Sequence, residues 1–285
     1  MEQSWKQAKA VFAAALGPPL VWLVLFFLAP MAIVWAYSFG HNVGLTDIAI
    51  SGTFHNYARA IEPLYLKIFL KSVWVAGLTT GLCLVIGFPV ALAITFASDK
   101  AKAWLLLLIM LPFWTNLLIR TYALIAVFRT QGYVNLALGW VGLGPYDMLY
   151  NNFAVIFGLV YVYMPFMVLP LYATIERLDR SFLEASLDLG ASQFQTFLKV
   201  TVPLTMPGII TGIILVFIPC LGSFLTPDLL GGANAVMIGN VIERQFKAAN
   251  DWPFGAAISF LLMYATFGAL ALRALFARFS KGVGV

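Results

Sequence analysis

The chain alternates between long apolar runs and short polar connectors. A membrane span needs about 20 mostly apolar residues. The runs long enough for this cover residues of roughly 17–39, 69–97, 104–128, 152–174, 208–226 and 253–275. Turn-forming residues separate them, as in segments 41–44 and 231–234. The pattern predicts an all-α integral membrane protein with six transmembrane helices, organised as a single transmembrane domain over residues 1–285.

Composition supports a chain embedded in a lipid bilayer. Hydrophobic residues make up 62% of the sequence and charged residues 10%, with a mean hydropathy of +0.92. These values exclude an ordinary soluble domain. The net charge of +5 comes from scattered basic residues without an aromatic-basic cluster, so no nucleic-acid partner is expected.

The distribution of basic residues predicts which side of the membrane each connector faces. An even number of spans places both termini on one side, and lysine and arginine favour the cytoplasm. The termini, the connector 98–103 and the loop 175–206 carry ten of these residues, against six in the opposite connectors. The ten are Lys6, Lys9, Lys100, Lys102, Arg177, Arg180, Lys199, Arg273, Arg278 and Lys281. Both termini and this loop are therefore predicted to be cytoplasmic.

One long polar stretch, residues 174–208, interrupts the apolar pattern. Ser181 with Glu184, and Ser192 with Gln195, have the spacing of capping boxes at two helix starts. Gly190 between them is placed to end the first helix in the left-handed conformation. Two prolines, at 203 and 207, are predicted to stop the second helix.

The two predicted helices differ in surface character. Glu184 and Asp188 lie one turn apart on the first helix, and Phe194, Phe197 and Leu198 share a face of the second. The stretch therefore predicts a helix–turn–helix arm with acidic and apolar surfaces. An amphipathic connector lying on the membrane surface is the simpler alternative.

The spacing within this arm resembles a family signature. Glu184-Ala185-Ser186, three residues, Gly190, nine residues and then a Val-x-Val-Pro ending at Pro203 resemble the EAA loop of bacterial ATP-binding-cassette importer permeases. That family pattern has Ala at the position of Ser186 and Ile and Leu at the two valines, so the departures largely keep side-chain size. The resemblance implies a MetI-like type I ABC importer permease fold with a cytoplasmic coupling helix in the loop 175–207. It assigns ATPase coupling to Glu184, Ala185, Ser186, Asp188, Gly190 and Pro203.

Motifs for catalysis are missing from the sequence. There is no GxxxxGK[ST] phosphate loop, and no HExxH, CxxC pair or GxSxG. His41 and His55 are expected to be solvated or packed in a loop rather than bound to a metal. Cys83 and Cys220 lie in different predicted spans and are expected to be buried thiols. The chain is thus expected to be no enzyme and to hold no cofactor, with ATP and Mg²⁺ bound by a partner ATPase.

The third predicted span carries the polar residues expected to line a path. At about 1.5 Å per residue from Ala103, Asn116 falls near the middle of the bilayer and Arg120 one turn further out. A charge at such depth usually faces protein or water, so Arg120 is interpreted as structural. Aromatic ring faces suit an ammonium group, although helix packing or interfacial anchoring explains them as well. The aromatic candidates are Trp114, Tyr122, Tyr161 and Tyr163.

Three further segments resemble permeases of polyamine importers, which carry spermidine and putrescine. They are residues 111–124, 224–232 and 251–255, and the likeness runs over most of the chain from about Pro30. Importers of opines and other small organic cations share parts of these motifs, so this alternative stays open. The resemblance implies a bacterial inner-membrane complex with a second homologous permease, two ATPase subunits and a periplasmic substrate-binding protein.

Acidic residues are missing from the predicted spans, although a polyvalent cation favours carboxylates. Asp228, beside the fifth span, is the nearest candidate, and the resemblance implies that a second permease supplies others. An ion-coupled secondary transporter would need ionisable relays within the membrane, and Arg120 is the one charged residue away from the ends of the predicted spans. A membrane-anchored assembly protein without transport activity is a third alternative.

Overall fold

The computed structural model describes residues 9–44 and 47–282. Of the basic residues counted at the two ends, Lys6 lies outside these residues. For Lys9, Arg273, Arg278 and Lys281 the structure describes the backbone and not the side chain. The α-helices are α1 (Lys9–Leu23), α2 (Ala29–Tyr37), α3 (His55–Ala60), α4 (Pro63–Thr95), α5 (Asp99–Met110), α6 (Leu117–Phe128), α7 (Tyr133–Trp140), α8 (Asn152–Ile175), α9 (Ser181–Asp188), α10 (Gln193–Thr196), α11 (Val202–Leu204), α12 (Met206–Leu221), α13 (Leu225–Gly231), α14 (Ile238–Lys247) and α15 (Trp252–Gly282).

Shorter elements connect some of these helices. Strands β1 (Gly40–Asn42) and β2 (Ile48–Ile50) pair antiparallel, with Gly40 opposite Ile50. The π-helical turns are Val24–Leu28 and Phe197–Thr201, and the 3₁₀ turns are Leu111–Trp114 and Ala233–Ala235.

Within the described residues, four helical stretches are long and apolar enough to cross a membrane. They are Phe12–Tyr37, Pro63–Thr95, Asn152–Ile175 and Trp252–Leu272. Two bent pairs pass the same test: Asp99–Trp114 with Leu117–Trp140, bent by 96°, and Gln193–Leu204 with Met206–Leu221, bent by 68°. Six spans result when each bent pair counts as one, which agrees with the predicted number.

The third span, predicted over 104–128, is broken after Trp114. Pro112 lies at the start of the 3₁₀ turn, and Thr115 and Asn116 are extended, with ψ of 147° and 136°. The side chain of Asn116 accepts a hydrogen bond from the backbone N–H of Leu118 and caps α6. The depth predicted for Asn116 and Arg120 assumed a constant rise per residue, which applies only up to this break, and it stays a prediction.

The chain divides into two compact units, and the larger comprises residues 67–240. Its core is a cluster of buried side chains from α4, α8 and α12: Cys83, Phe88, Ala91, Ile94, Met167, Val168, Leu171, Ile175, Ile209 and Val216. Two glycines of α12 allow close packing against α8. A Cβ at Gly208 would lie 2.4 Å from Thr174 Oγ1, and one at Gly212 would lie 2.6 Å from Met167 Sδ. Both cysteines are free and buried, as predicted.

The smaller unit comprises residues 1–66 and 241–285. The indole Nε1 of Trp35 in α2 donates to the hydroxyl of Tyr264 in α15 at 2.7 Å. Arg59 of α3 forms an ion pair with Asp251 at 2.8 Å, and its guanidinium lies 3.8 Å from the ring centre of Phe254. These contacts join the beginning and the end of the chain. The prediction of one domain over residues 1–285 stays a prediction.

Candidate functional site

The polar loop 175–207, hereafter the arm, begins with the helix α9. Its first helical residue is Ser181, whose backbone N–H donates to the carboxylate of Asp179 at 3.0 Å. This hydrogen bond and one from the Ser181 side chain lower the pKa of Asp179. The predicted capping box of Ser181 with Glu184 was wrong. In such a box the Glu184 side chain would bind the backbone N–H of Ser181, but Asp179 binds that N–H, and Ser181 is the first helical residue and not the N-cap.

Gly190 ends α9 as predicted, with φ of +84°. The N–H of Gly190 donates to the carbonyl of Leu187 at 2.9 Å, and the N–H of Ala191 donates to that of Ser186 at 3.2 Å. This pair of bonds is a complete Schellman motif. A Cβ at Gly190 would meet nothing within 4 Å. Glycine is thus favoured here by its backbone conformation and not by lack of space.

The second predicted capping box is confirmed at the start of α10. The Ser192 hydroxyl accepts from the N–H of Gln195 at 3.3 Å, and the Gln195 side chain accepts from the N–H of Ser192 at 3.0 Å. The hydroxyls of Ser186 and Thr196 are 3.0 Å apart and join the two arm helices. Because the turn, the cap and this contact all fix the same corner, the arm has a defined bend.

Pro203 does not stop the second arm helix. It cannot donate to the carbonyl of Lys199, and the chain forms the π turn Phe197–Thr201, closed by the N–H of Val202 on the carbonyl of Phe197. The helical path continues to Leu204 and breaks at Thr205. The arm therefore leads directly into α12, with the 68° bend between them.

The arm exposes apolar and acidic side chains together. Glu184 and Asp188 are exposed, and the neighbouring Leu189 and Phe194 are 88% and 69% exposed. Phe197 instead packs edge-on against Phe88 of α4, with ring centres 5.3 Å apart. Of the residues predicted to share one apolar face, Phe197 therefore packs inside the protein and Phe194 remains exposed. Ala185 and Pro203 are also exposed, and Ser186 is partly buried. Contiguous exposed apolar groups mark surfaces that bind a partner.

The predicted path residues occupy different environments. Trp114 is 72% exposed beside the break in the third span, and Tyr122 and Tyr161 are exposed as well. The hydroxyl of Tyr163 donates to the carbonyl of Pro219 at 3.1 Å, near the end of α12. Asp228 is exposed in α13.

Arg120 is partly buried on α6. Its Nε is buried without a hydrogen-bond partner among the described residues. An unpaired buried donor of this kind is costly.

A cavity that the sequence did not predict is formed by the segment at the end of α6 and the segment just before α8. It has a volume of about 860 Å³ and is lined by Phe128, Arg129, Thr130, Gln131, Asp147, Met148, Leu149 and Tyr150. The hydroxyl of Thr130 donates to the carboxylate of Asp147 at 3.4 Å and so links the two segments that line the cavity. These residues form no local motif, so only the folded connector brings them together.

Comparison with known proteins identifies the family to which this fold and arm belong. The model of the binding-protein-dependent transport system inner membrane component matches residues 83–283. The chain is a member of this family. It is therefore an inner-membrane component of a transport system that works with a substrate-binding protein, and the predicted fold class is confirmed.

Relatives of this family member include permeases of known systems. The chain is 46% identical over 243 residues to the spermidine/putrescine transport system permease protein PotB of Salmonella typhimurium (strain SL1344), covering 85% of each chain. Identity to PotB of Escherichia coli (strain K12) is also 46%, covering 85% of this chain and 88% of the relative. For PotB of Haemophilus influenzae it is 44% over 240 residues, 84% of each chain.

Solved structures of two bacterial alginate ABC transporters share the fold. One, in complex with a pentasaccharide-bound periplasmic protein, has a TM-score of 0.78 at 17% identity and covers 94% of each chain. The other has a TM-score of 0.72 at 18% identity, covering 99% of this chain and 100% of its own. The orientation of the termini stays a prediction.

Proposed function

We propose that the chain is the permease subunit of an ATP-driven importer and forms, with a second homologous permease, the path of a polyamine through the inner membrane. The observation that carries this is the arm, whose hydrogen-bonded corner exposes Leu189 and Phe194 as well as the carboxylates of Glu184 and Asp188. The substrate class is supported by the identity of 44–46% to spermidine/putrescine permeases over most of the chain. The chain itself is non-catalytic and holds no cofactor. Two partner ATPases bind ATP and Mg²⁺, and a periplasmic binding protein delivers the substrate.

In this proposal the arm seats in a cleft of an ATPase subunit. Glu184 and Asp188 bind polar groups of the cleft, and the small side chains of Ala185 and Ser186 allow close approach. Gly190 sets the angle of the corner. Closure of the ATPases moves the arm because their contacts with it differ between the two states. The movement passes into α12, since the helical path runs through Pro203 to the bend at Thr205.

The path itself is proposed to form at the break in the third span. Trp114, Tyr122 and Tyr161 are exposed, and an aromatic ring face binds an ammonium group with about 0.5–2 kcal/mol. Asn116 and Asp228 add oxygen atoms, and the second permease supplies further carboxylates. Arg120 has a structural role, and Tyr163 holds the end of α12 through the carbonyl of Pro219.

The test is transport by the reconstituted complex of this chain with its partner permease, ATPases and binding protein. Glu184→Lys is expected to lower ATP-driven uptake of labelled spermidine at least about tenfold, because it places a cation where the cleft binds a carboxylate. Glu62→Lys is the matched control, since Glu62 is an exposed carboxylate outside the arm. Full uptake by Glu184→Lys would refute the coupling role.

The same assay separates the alternative functions. Uptake that needs an ion gradient and not ATP would indicate a secondary transporter. A complex that carries an opine and not spermidine would refute the polyamine assignment and leave the architecture intact.

A further inference from the structure

Two side-chain contacts join the base of the arm to the end of α4 and the start of α5. Lys102 Nζ lies 2.7 Å from Glu176 Oε1. The guanidinium of Arg180 lies 5.5 Å from the ring centre of Phe96. Glu176 directly follows α8, and Phe96 directly follows α4. The contacts therefore hold the start of α5 and the end of α4 against the point where the arm begins.

Lys102 lies in the first turns of α5, where its backbone N–H donates to the carbonyl of Ser98 at 2.8 Å. The helix runs from Asp99 to Met110 and continues as the 3₁₀ turn to Trp114. A helix of this length is a stiff rod of about 18 Å. If Lys102 is displaced along the helix axis, the whole rod moves with it, and so does the break at Thr115, which lies next to the proposed path residues Trp114 and Asn116.

A partly open cavity lies between the arm and the end of α4, next to these contacts. It has a volume of about 430 Å³, and its lining includes Phe96, Arg180, Leu183, Leu187 and Thr196. The cavity separates α9 from α4 over this region. The ion pair and the Arg180–Phe96 contact bridge the edge of the cavity.

We propose that the Lys102–Glu176 ion pair, supported by Arg180 on Phe96, transmits the movement of the arm into α5. ATPase closure then acts on the break in the third span as well as on α12. This inference rests on the proposed function, because it requires an ATPase seated on the arm. Lys102 and Glu176 are positioning residues, since they act through α5 and touch neither ATP nor substrate.

Charge reversal in the reconstituted complex tests the proposal. Lys102→Glu and Glu176→Lys place like charges together, so each is expected to lower the stimulation of ATP hydrolysis by loaded binding protein about threefold, a loss in the range for one partly exposed ion pair. The double variant restores the pair in reverse and is expected to recover most of that stimulation. The amount of ATPase subunit retained on the complex is expected to stay unchanged in all three.

Lys100→Glu is the matched control, since it makes the same charge change on the same connector. Lys100 is exposed and has no ion pair among the residues that the structure describes. Lys102→Gln, which removes the charge without creating repulsion, covers the case in which a reversed variant fails to assemble. It is expected to lower the stimulation as well.

Two results would overturn the proposal: single variants with unchanged stimulation, or a double variant that stays as low as the singles. Failure of the proposed function looks different. In that case the unchanged chain itself would retain no ATPase subunit, before any substitution is made.

Discussion

Individual residues of the arm show how far local sequence rules reach. Gly190 and Ser192 were predicted correctly because a Schellman turn and a capping box each need particular residues at fixed spacing. Ser181 satisfies the same spacing with Glu184, yet Asp179 two residues earlier binds its N–H. Two acceptors competed for one donor, and the spacing rule could not decide between them.

Substitution at Gly190 separates backbone conformation from bulk. Gly190→Val is expected to reduce uptake at least about fivefold, because a β-branched residue is strained at positive φ. Gly190→Asn is the control, since asparagine tolerates the left-handed region, and it is expected to keep most of the uptake. Labelled spermidine uptake by the reconstituted complex measures both. Equal activity of the Val and Asn variants would show that the conformation is unimportant.

At the scale of helices, the sequence predicted which segments are apolar but not how they bend. A hydropathy profile reports how apolar a segment is and contains no information on the angle between successive helices. The angles of the 96° break after Trp114 and the 68° bend at Thr205 could therefore not be predicted. Prolines lie at both places, but Pro165 and Pro170 remain inside the continuous helix α8. Whether a proline bends a span depends on neighbours that satisfy the freed carbonyls, and these are set by tertiary packing.

Packing of α12 against α8 gives a prediction at the same scale. Gly208→Ala is expected to destabilise the protein by about 1–3 kcal/mol, since overpacking a tight contact forces the helices apart. Its new Cβ would lie 2.9 Å from the backbone oxygen of Pro170, which cannot rotate away. The control is Gly77→Ala in α4, where a Cβ meets nothing within 4 Å.

Thermal unfolding in detergent measures this difference. The Gly208 variant should unfold several degrees below the unchanged chain, and the Gly77 variant should not. Equal unfolding temperatures for the two variants would contradict the packing argument.

At the scale of the whole molecule, the number of spans and the family were predictable, because both depend on patterns repeated over many residues. The cavity lined by Arg129 and Asp147 was not, since its residues are brought together only by the folded connector. The side of the membrane that each connector faces remains a prediction from the distribution of lysine and arginine.

Thiol labelling tests this orientation. The native Cys83 and Cys220 are buried, so a single introduced cysteine gives the signal. Val43→Cys, at an exposed position of the first connector, is expected to react with a membrane-impermeant maleimide in intact cells. Leu189→Cys is expected to react only after permeabilisation, and more strongly without the ATPase subunits. The reverse pattern would place the arm outside the cell.

The division of the chain into two units has a consequence for its synthesis. One unit is a single uninterrupted stretch, residues 67–240, whereas the other joins both ends of the chain. A ribosome delivers residues in order, so the uninterrupted unit can complete its contacts while the last helix is still unmade. Trp35 must wait for Tyr264, which follows 229 residues later. The span that contains Trp35 is thus made early but acquires this contact only when the helix α15 has been synthesised.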